Sequence, residues 1–384
     1  MIYLDHQAST PTDSRVVQAM LPFFTEHCGN PASRHHSPGS FASEAVETAR
    51  RQVANLIGAR SPREILFTSG ATEAINLALK GIAKANASGG RHLITSMIEH
   101  KATLDACARL EAQGFEVTRL PVDCLGRVSP QDVESAIRPD TLLVSLLHGH
   151  NEVGTLQPVG EIGAICRGRG VLFHVDAAQT AGKVPLDVEA AKIDLCSISA
   201  HKFHGPKGVG ALYVRLRPRI AIEPLLDGGG QERGLRSGTL NVPGIVGLGV
   251  ACELALHDMD QEGERLTLLR NRLFERLSEA VAGLTLSGHP SERLPGNLNV
   301  SFPIEDSYDL MMRLPDLAVS AGSACSSGSM EPSHSFRAMG IPDSIARSAI
   351  RFGLGRFTTP DDIERAADMV IRAVLRLPVS GSIG

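Results

Sequence analysis

The residues whose types and spacing suggest chemistry stand just after apolar runs. "DLCSIS", residues 194–199, leads into "AHKFHGPKG", which supplies His201, Lys202, His204 and Lys207. Lysine is rarely buried without a partner, so two readings stand side by side. Either the amines sit in solvent on a loop, or Lys202, tied by His201 to the strand end, is a Schiff-base lysine whose charge is shared by an imine. Lys207, deeper in the glycine-rich turn, reads as structural or exposed. Upstream, "VLFHV" runs into "DAAQTAG", with Asp176 and Gln179. An aspartate there can cap the next segment, or it can pin a protonated ring nitrogen, because a buried carboxylate needs a cationic partner. "EILFT" is followed by "SGATEA", residues 69–74. That stretch reads as a plain turn with a threonine cap, or as a helix start whose free N–H groups seat a phosphate. It lacks the Walker and dinucleotide glycine patterns, which argues against ATP and NAD. An imine-forming lysine, a carboxylate for a ring nitrogen and a phosphate seat are the three fixtures that pyridoxal phosphate requires. All three fall at strand ends of one expected sheet.

The elements that must position them follow from periodicity. Between residues 63 and 214, short β-branched runs alternate with helix-like segments: "EILFT", "HLITSM", "LLVSLLH", "VLFHVD", "DLCSIS" and "VGALYV". Buried parallel strands read as such continuous apolar runs, so the expected fold class is α/β. A large domain carries a mostly parallel, seven-stranded-type sheet covered by helices, and a smaller α+β domain follows. The expected division is 15–255 for the large domain, with 1–14 and 256–384 forming the small one. "SPQD", Ser129 to Asp132, reads as a capped helix start. "ERLTLLRNRLFERLSEAV" and "PDDIERAADMVIRAVLRL" read as amphipathic helices and "LNVSFP" as a strand. In open parallel sheets ligands collect outside the carboxyl ends of the strands, which is where the candidate residues stand.

Composition narrows the function classes. The 384 residues are 42% hydrophobic and 21% charged, with a net charge of -4 and no long run of one sign, so neither nucleic acid nor a membrane is an expected partner. No run of consecutive apolar residues approaches the roughly 20 of a membrane span, and the N-terminus lacks a signal-peptide pattern. Seven cysteines with no Cys-x-x-Cys pair disfavour a disulfide framework and a structural zinc site; no metal is expected. A cytoplasmic protein acting on a small molecule is the expectation.

With these motifs in order, the chain resembles the cysteine desulfurases of the NifS/IscS type, fold-type I pyridoxal-phosphate enzymes. The likeness runs from "YLDHQASTP" through "GNPASRHH", "FTSGATEA", "EHKA", "HNEVGTLQP", "HVDAAQTAGK", "SAHKFHGPKGVGALY", "GGGQERGLRSGT" and "SAGSACSSGS" to "RFGLGRFTT". The resemblance implies that Lys202 holds pyridoxal phosphate and acts as base, Asp176 pairs with the ring nitrogen, and Gln179 bonds the phenolic oxygen. His100 of "EHKA" would stack on the ring. Backbone groups of Ala71 and Thr72, with Ser199 and His201, would seat the phosphate, and Thr239 of a second subunit would complete that seat. Asn151 and Arg351 would take the carboxylate of L-cysteine.

By the same resemblance, Cys325 in "VSAGSACSSGSMEPSH" is the nucleophile that receives sulfur as a persulfide, or a thiolate that contacts a cluster. Its small-residue setting suits a loop, whereas Cys107, Cys166 and Cys252 fall in helical patterns and Cys196 in a strand. The implied partners are a second copy of the chain and a sulfur-acceptor protein, the pathway standing open among iron-sulfur cluster assembly, tRNA thiolation and DNA modification. Two alternatives stand beside this reading: a lyase acting on selenocysteine or cysteine sulfinate, and a non-catalytic sulfur-carrier or scaffold subunit. The chain departs from the pattern at His6 and at His148-Gly149-His150, where changes in substrate fit and in the wall beside the cofactor are expected.

Overall fold

The computed structural model describes residues 1–33, 35–321 and 333–377. Its largest element is a seven-stranded sheet of β1 (Ile65–Thr68), β2 (His92–Ser96), β3 (Glu116–Leu120), β4 (Thr141–Leu147), β5 (Leu172–Asp176), β6 (Leu195–Ser199) and β7 (Gly210–Val214). The spatial order is β1-β7-β6-β5-β4-β2-β3. Only β7 runs antiparallel to its neighbours. Most strands are fully buried, and successive residues face opposite layers. Ile65 and Phe67 join one core, and Leu66 joins the other. Helices α1 (Ser37–Leu56), α2 (Ala71–Ala85), α3 (Lys101–Glu111), α4 (Pro130–Ala136) and α5 (Val159–Arg169) make connections around the sheet. Ser129 caps α4, accepting from the Asp132 N–H, as its sequence predicts.

A 39-residue helix, α6 (Val242–Ala280), leaves this layer. Its first half buries Val242, Ile245, Leu248, Cys252 and Ala255 in the large core. Its second half buries Leu266, Leu269, Leu273 and Leu277 in a separate one. The expected division at 255–256 thus falls inside one continuous helix, where its apolar stripe passes from one core to the other. By length and mean hydropathy α6 would also pass for a membrane span, which counting consecutive apolar residues did not reveal, but half of the apolar window is buried inside the fold. The second core packs α6 and α7 (Pro360–Val374) on a small antiparallel sheet that contains β8 (Asn297–Ser301) and β9 (Ala349–Gly353). α7 carries buried residues at helical spacing behind a Thr359–Asp362 capping box.

The N-terminus belongs to this second layer. Ile2 and Tyr3 pair with Leu317 and Ala318, and Asp5 bridges Gly353. That pairing carries residues 5–10 across the carboxyl end of the large sheet.

Candidate active site

One cleft opens at the carboxyl ends of β1, β2, β4, β5 and β6. It is lined by ten of the residues singled out from sequence: Ala71, Thr72, His100, Asn151, Asp176, Gln179, Ser199, His201, Lys202 and Arg351. All but Arg351 stand there because a strand of the large sheet has just ended. Asp176 and Ser199 are the last residues of β5 and β6, and Lys202 ends the short 3-10 turn after β6. His100 caps α3, its Nδ1 accepting from the Ala102 N–H at 3.1 Å. Lys207 is exposed, and His204 is buried away from the cleft.

The lysine is held by the N-terminal loop. Lys202 Nζ donates to the carbonyl oxygens of Gln7 at 2.8 Å and Ala8 at 2.9 Å. Gln179 Nε2 donates to the same Gln7 oxygen at 3.0 Å, so the amine and the amide converge on one point. Asp176 accepts from the Ala178 N–H at 2.9 Å. Burial pushes its carboxyl up, against that N–H and the positive fields of His100 and Lys202. His201 donates or accepts at Ser9 Oγ, 3.2 Å away, and burial beside Lys202 lowers its pKa to about 4, which leaves the ring neutral.

The turn before α2 is built around glycine. Gly70 is the N-cap with φ 153°, and no side chain caps the helix, so the threonine cap open to "SGATEA" is not used. A Cβ on Gly70 would approach Ser199 Oγ to 3.8 Å, within the space between the helix start and β6. Gly210 of β7 pairs with both Thr68 and Ser199, and a Cβ there would meet Ile198 O at 2.4 Å and Gly70 Cα at 2.7 Å. Only glycine lets these backbones approach so closely.

On the opposite wall, Arg351 of β9 is buried. Its Nη1 donates to Asn151 O at 2.9 Å and its Nη2 to Asp5 Oδ1 at 2.8 Å. Ser320 Oγ donates to the same Asp5 oxygen at 2.8 Å. Arg351 Nε is buried with no hydrogen-bond partner among the described residues, a donor of the kind that a ligand carboxylate satisfies.

Two expectations need correction. His6 was expected to alter substrate fit, but its ring is buried, faces a second small cavity with Lys183 and His204, and bonds Gly353 O through Nδ1 at 2.9 Å. Of His148, Gly149 and His150, only Gly149 lines the cleft. His150 instead bonds Ser335 through Nε2 at 2.9 Å and accepts from the Glu152 and Val153 N–H groups through Nδ1. Asp5, Gln7, Ala8, Ser69, Glu73 and Ser320 also line the cleft. Sequence reasoning missed these six residues, although the quoted "YLDHQASTP" and "SGATEA" contain five of them. Cys325 lies outside the described residues. Thr239 is exposed and does not line its own chain's cleft.

Residues 2–366 match the aminotransferase class-V family. "Cysteine desulfurase IscS" of Anaeromyxobacter sp. (strain Fw109-5) is 54% identical over 98% of this chain and 93% of its own length. This chain belongs to the cysteine desulfurases of that family. A solved "NIFS-LIKE PROTEIN" superposes with a TM-score of 0.91 at 40% identity, covering 98% of this chain and all of the other. "SspA in complex with cysteine" superposes with a TM-score of 0.83 at 38% identity, covering 94% and 100%. The α/β fold with a seven-stranded, mostly parallel sheet is therefore that of the NifS-like proteins, as the sequence led us to expect.

Desulfurases of this family depend on pyridoxal phosphate, and the cleft fits that group. A buried carboxylate stands ready for a cationic ring nitrogen, an uncapped helix start faces Ser199, and a lysine amine is held against the Gln7 and Ala8 carbonyls.

Proposed function

We propose that this cleft releases sulfur from L-cysteine, forming L-alanine, with the residues above in the following roles. The observation that carries the reading is the convergence of Lys202, Asp176, the uncapped start of α2 and Arg351 on one cleft. When bound, pyridoxal phosphate supplies the electron sink that acidifies the substrate α-carbon and accommodates loss of its sulfur. Lys202 would hold the cofactor and, once displaced by substrate, move the α-proton from its place beside Gln7 O and Ala8 O. Asp176 would hold the ring nitrogen and Gln179 the phenolic oxygen. His100 would cover the ring face, and Ala71, Thr72, Ser199 and His201 would hold the phosphate. Arg351 and Asn151 orient the substrate carboxylate, whose oxygens accept hydrogen bonds donated by the guanidinium fork.

Cys325 is the assigned nucleophile. Its thiolate forms a bond to the substrate sulfur as the carbon–sulfur bond breaks, and the carbon fragment takes up a proton to leave as alanine. Sulfur stays on the enzyme as a persulfide for an acceptor protein. The reading extends to a homodimer, since Thr239 is exposed away from its own cleft and available to a neighbour's. It also extends to the cytoplasm, where the free thiols of Cys28, Cys107, Cys124, Cys166, Cys196 and Cys252 would be kept reduced.

The test is a visible absorption spectrum of the purified protein, followed by cysteine addition with alanine and sulfide assayed. Borohydride reduction and peptide sequencing should place the label on Lys202, and a label elsewhere would overturn the assignment. Cys325→Ala should lose desulfuration of cysteine. Retained cysteine turnover in that variant would favour the lyase alternative.

A further inference from the structure

Glu73 presents an electrostatic problem for the phosphate seat. It stands in the first turn of α2, lines the cleft, and is three-quarters or more buried, with a side-chain exposure of 16%. An anion placed beside a seat for a dianion would oppose binding. The structure provides a counterweight from a distant part of the chain. Arg236 Nε donates to Glu73 Oε1 at 2.8 Å and its Nη2 to Oε2 at 3.3 Å. The second carboxylate oxygen also accepts from the Ser69 N–H at 2.9 Å, so Glu73 bonds one backbone donor just before the helix and leaves those of Ala71 and Thr72 to the cleft. Although burial would raise its pKa, these bonds hold Glu73 below the ordinary carboxylate range.

We infer that Arg236 is a positioning residue for cofactor binding: its guanidinium pins and neutralises Glu73, so that the start of α2 can accept a phosphate dianion. The inference rests on the reading of the cleft given above. Arg236 thereby acts through Glu73 rather than as a phosphate ligand. Its position also ties the "RSGT" segment, and with it the exposed Thr239, to the edge of the seat.

Charge removal and rescue test this. The full-length chain, stripped of cofactor, is titrated with pyridoxal phosphate and, separately, with pyridoxal, which lacks the phosphate. Arg236→Met should raise the Kd for pyridoxal phosphate roughly tenfold or more while leaving that for pyridoxal unchanged, since only the phosphate meets the exposed carboxylate. Glu73→Gln in the same background should restore pyridoxal-phosphate binding, and Glu73→Gln alone should bind at least as tightly as the unsubstituted chain. Loss that Glu73→Gln does not rescue, or equal loss of both ligands, overturns the inference. Arg236→Gln serves with the same outcomes if the methionine variant does not fold. An unsubstituted chain that binds neither ligand, or does not prefer the phosphorylated one, would overturn the reading of the cleft and this inference with it.

Discussion

At the scale of single residues, function depends on charged groups held by fixed partners. Arg351 is fastened by Asn151 O and Asp5, with Nε left over. Arg351→Lys keeps the charge but loses the planar fork, so the KM for cysteine should rise about tenfold or more with the cofactor spectrum unchanged. An unchanged KM would remove the arginine from substrate binding. Lys202→Ala should abolish alanine and sulfide formation and leave the cofactor removable by dialysis. Beside His100, Glu99 makes a different prediction. Its Oε1 accepts from Ser96 Oγ at 2.6 Å and Leu147 N–H at 3.1 Å, and burial pushes its pKa from 4.5 up to about 8. The folded chain therefore holds this proton after the unfolded chain has released it. Stability contributed by the neutral acid is complete below about pH 4.5 and falls as pH rises to about 8, then stays level. Glu99→Gln keeps the acceptor oxygen and removes the titration. Its melting temperature should gain on the parent chain as pH rises across that window, and a constant difference would refute the neutral acid.

Between residues and fold, the elements supply precision. The three-way approach of β1, β6 and β7 works because position 210 has no Cβ. Gly210→Ala should destabilise the chain by about 1–3 kcal/mol and lower cofactor occupancy, because relieving the clash moves Gly70 or Ile198. Melting curves and visible absorbance read both effects, and a variant with normal values of each would show that the close approach is dispensable. The strand ends carrying Asp176, Ser199 and Lys202 were legible in sequence because buried parallel strands leave continuous apolar runs. Less legible was the turn before α2, where a glycine N-cap replaced the threonine cap. Local side-chain preference points to threonine, whereas the backbone at position 70, with φ 153°, takes a conformation that a residue with a Cβ rarely adopts.

At the scale of the whole molecule, the cleft is assembled from two cores joined by α6. The large sheet provides Asp176 at the end of β5 and Lys202 in the turn after β6, while Arg351 and Asp5 belong to the layer built on the small sheet. A second copy is expected to supply Thr239. Sedimentation should give the mass of two chains, and Thr239→Ala should weaken cofactor retention. A monomer that retains cofactor fully would exclude the shared seat.

Sequence by itself determined the alternation of strand and helix, the catalytic motifs and their order, because apolar periodicity and residue chemistry are local properties. Tertiary structure alone decided which neighbours those motifs meet. It turned His6, His148 and His150 away from the cleft, brought the Gln7 and Ala8 carbonyls onto Lys202, and set Arg236 against Glu73 across 163 positions. The physical reason is that backbone carbonyls carry no residue-type signal, and a buried charge takes its partner from whatever the packing brings within reach, however distant in the chain.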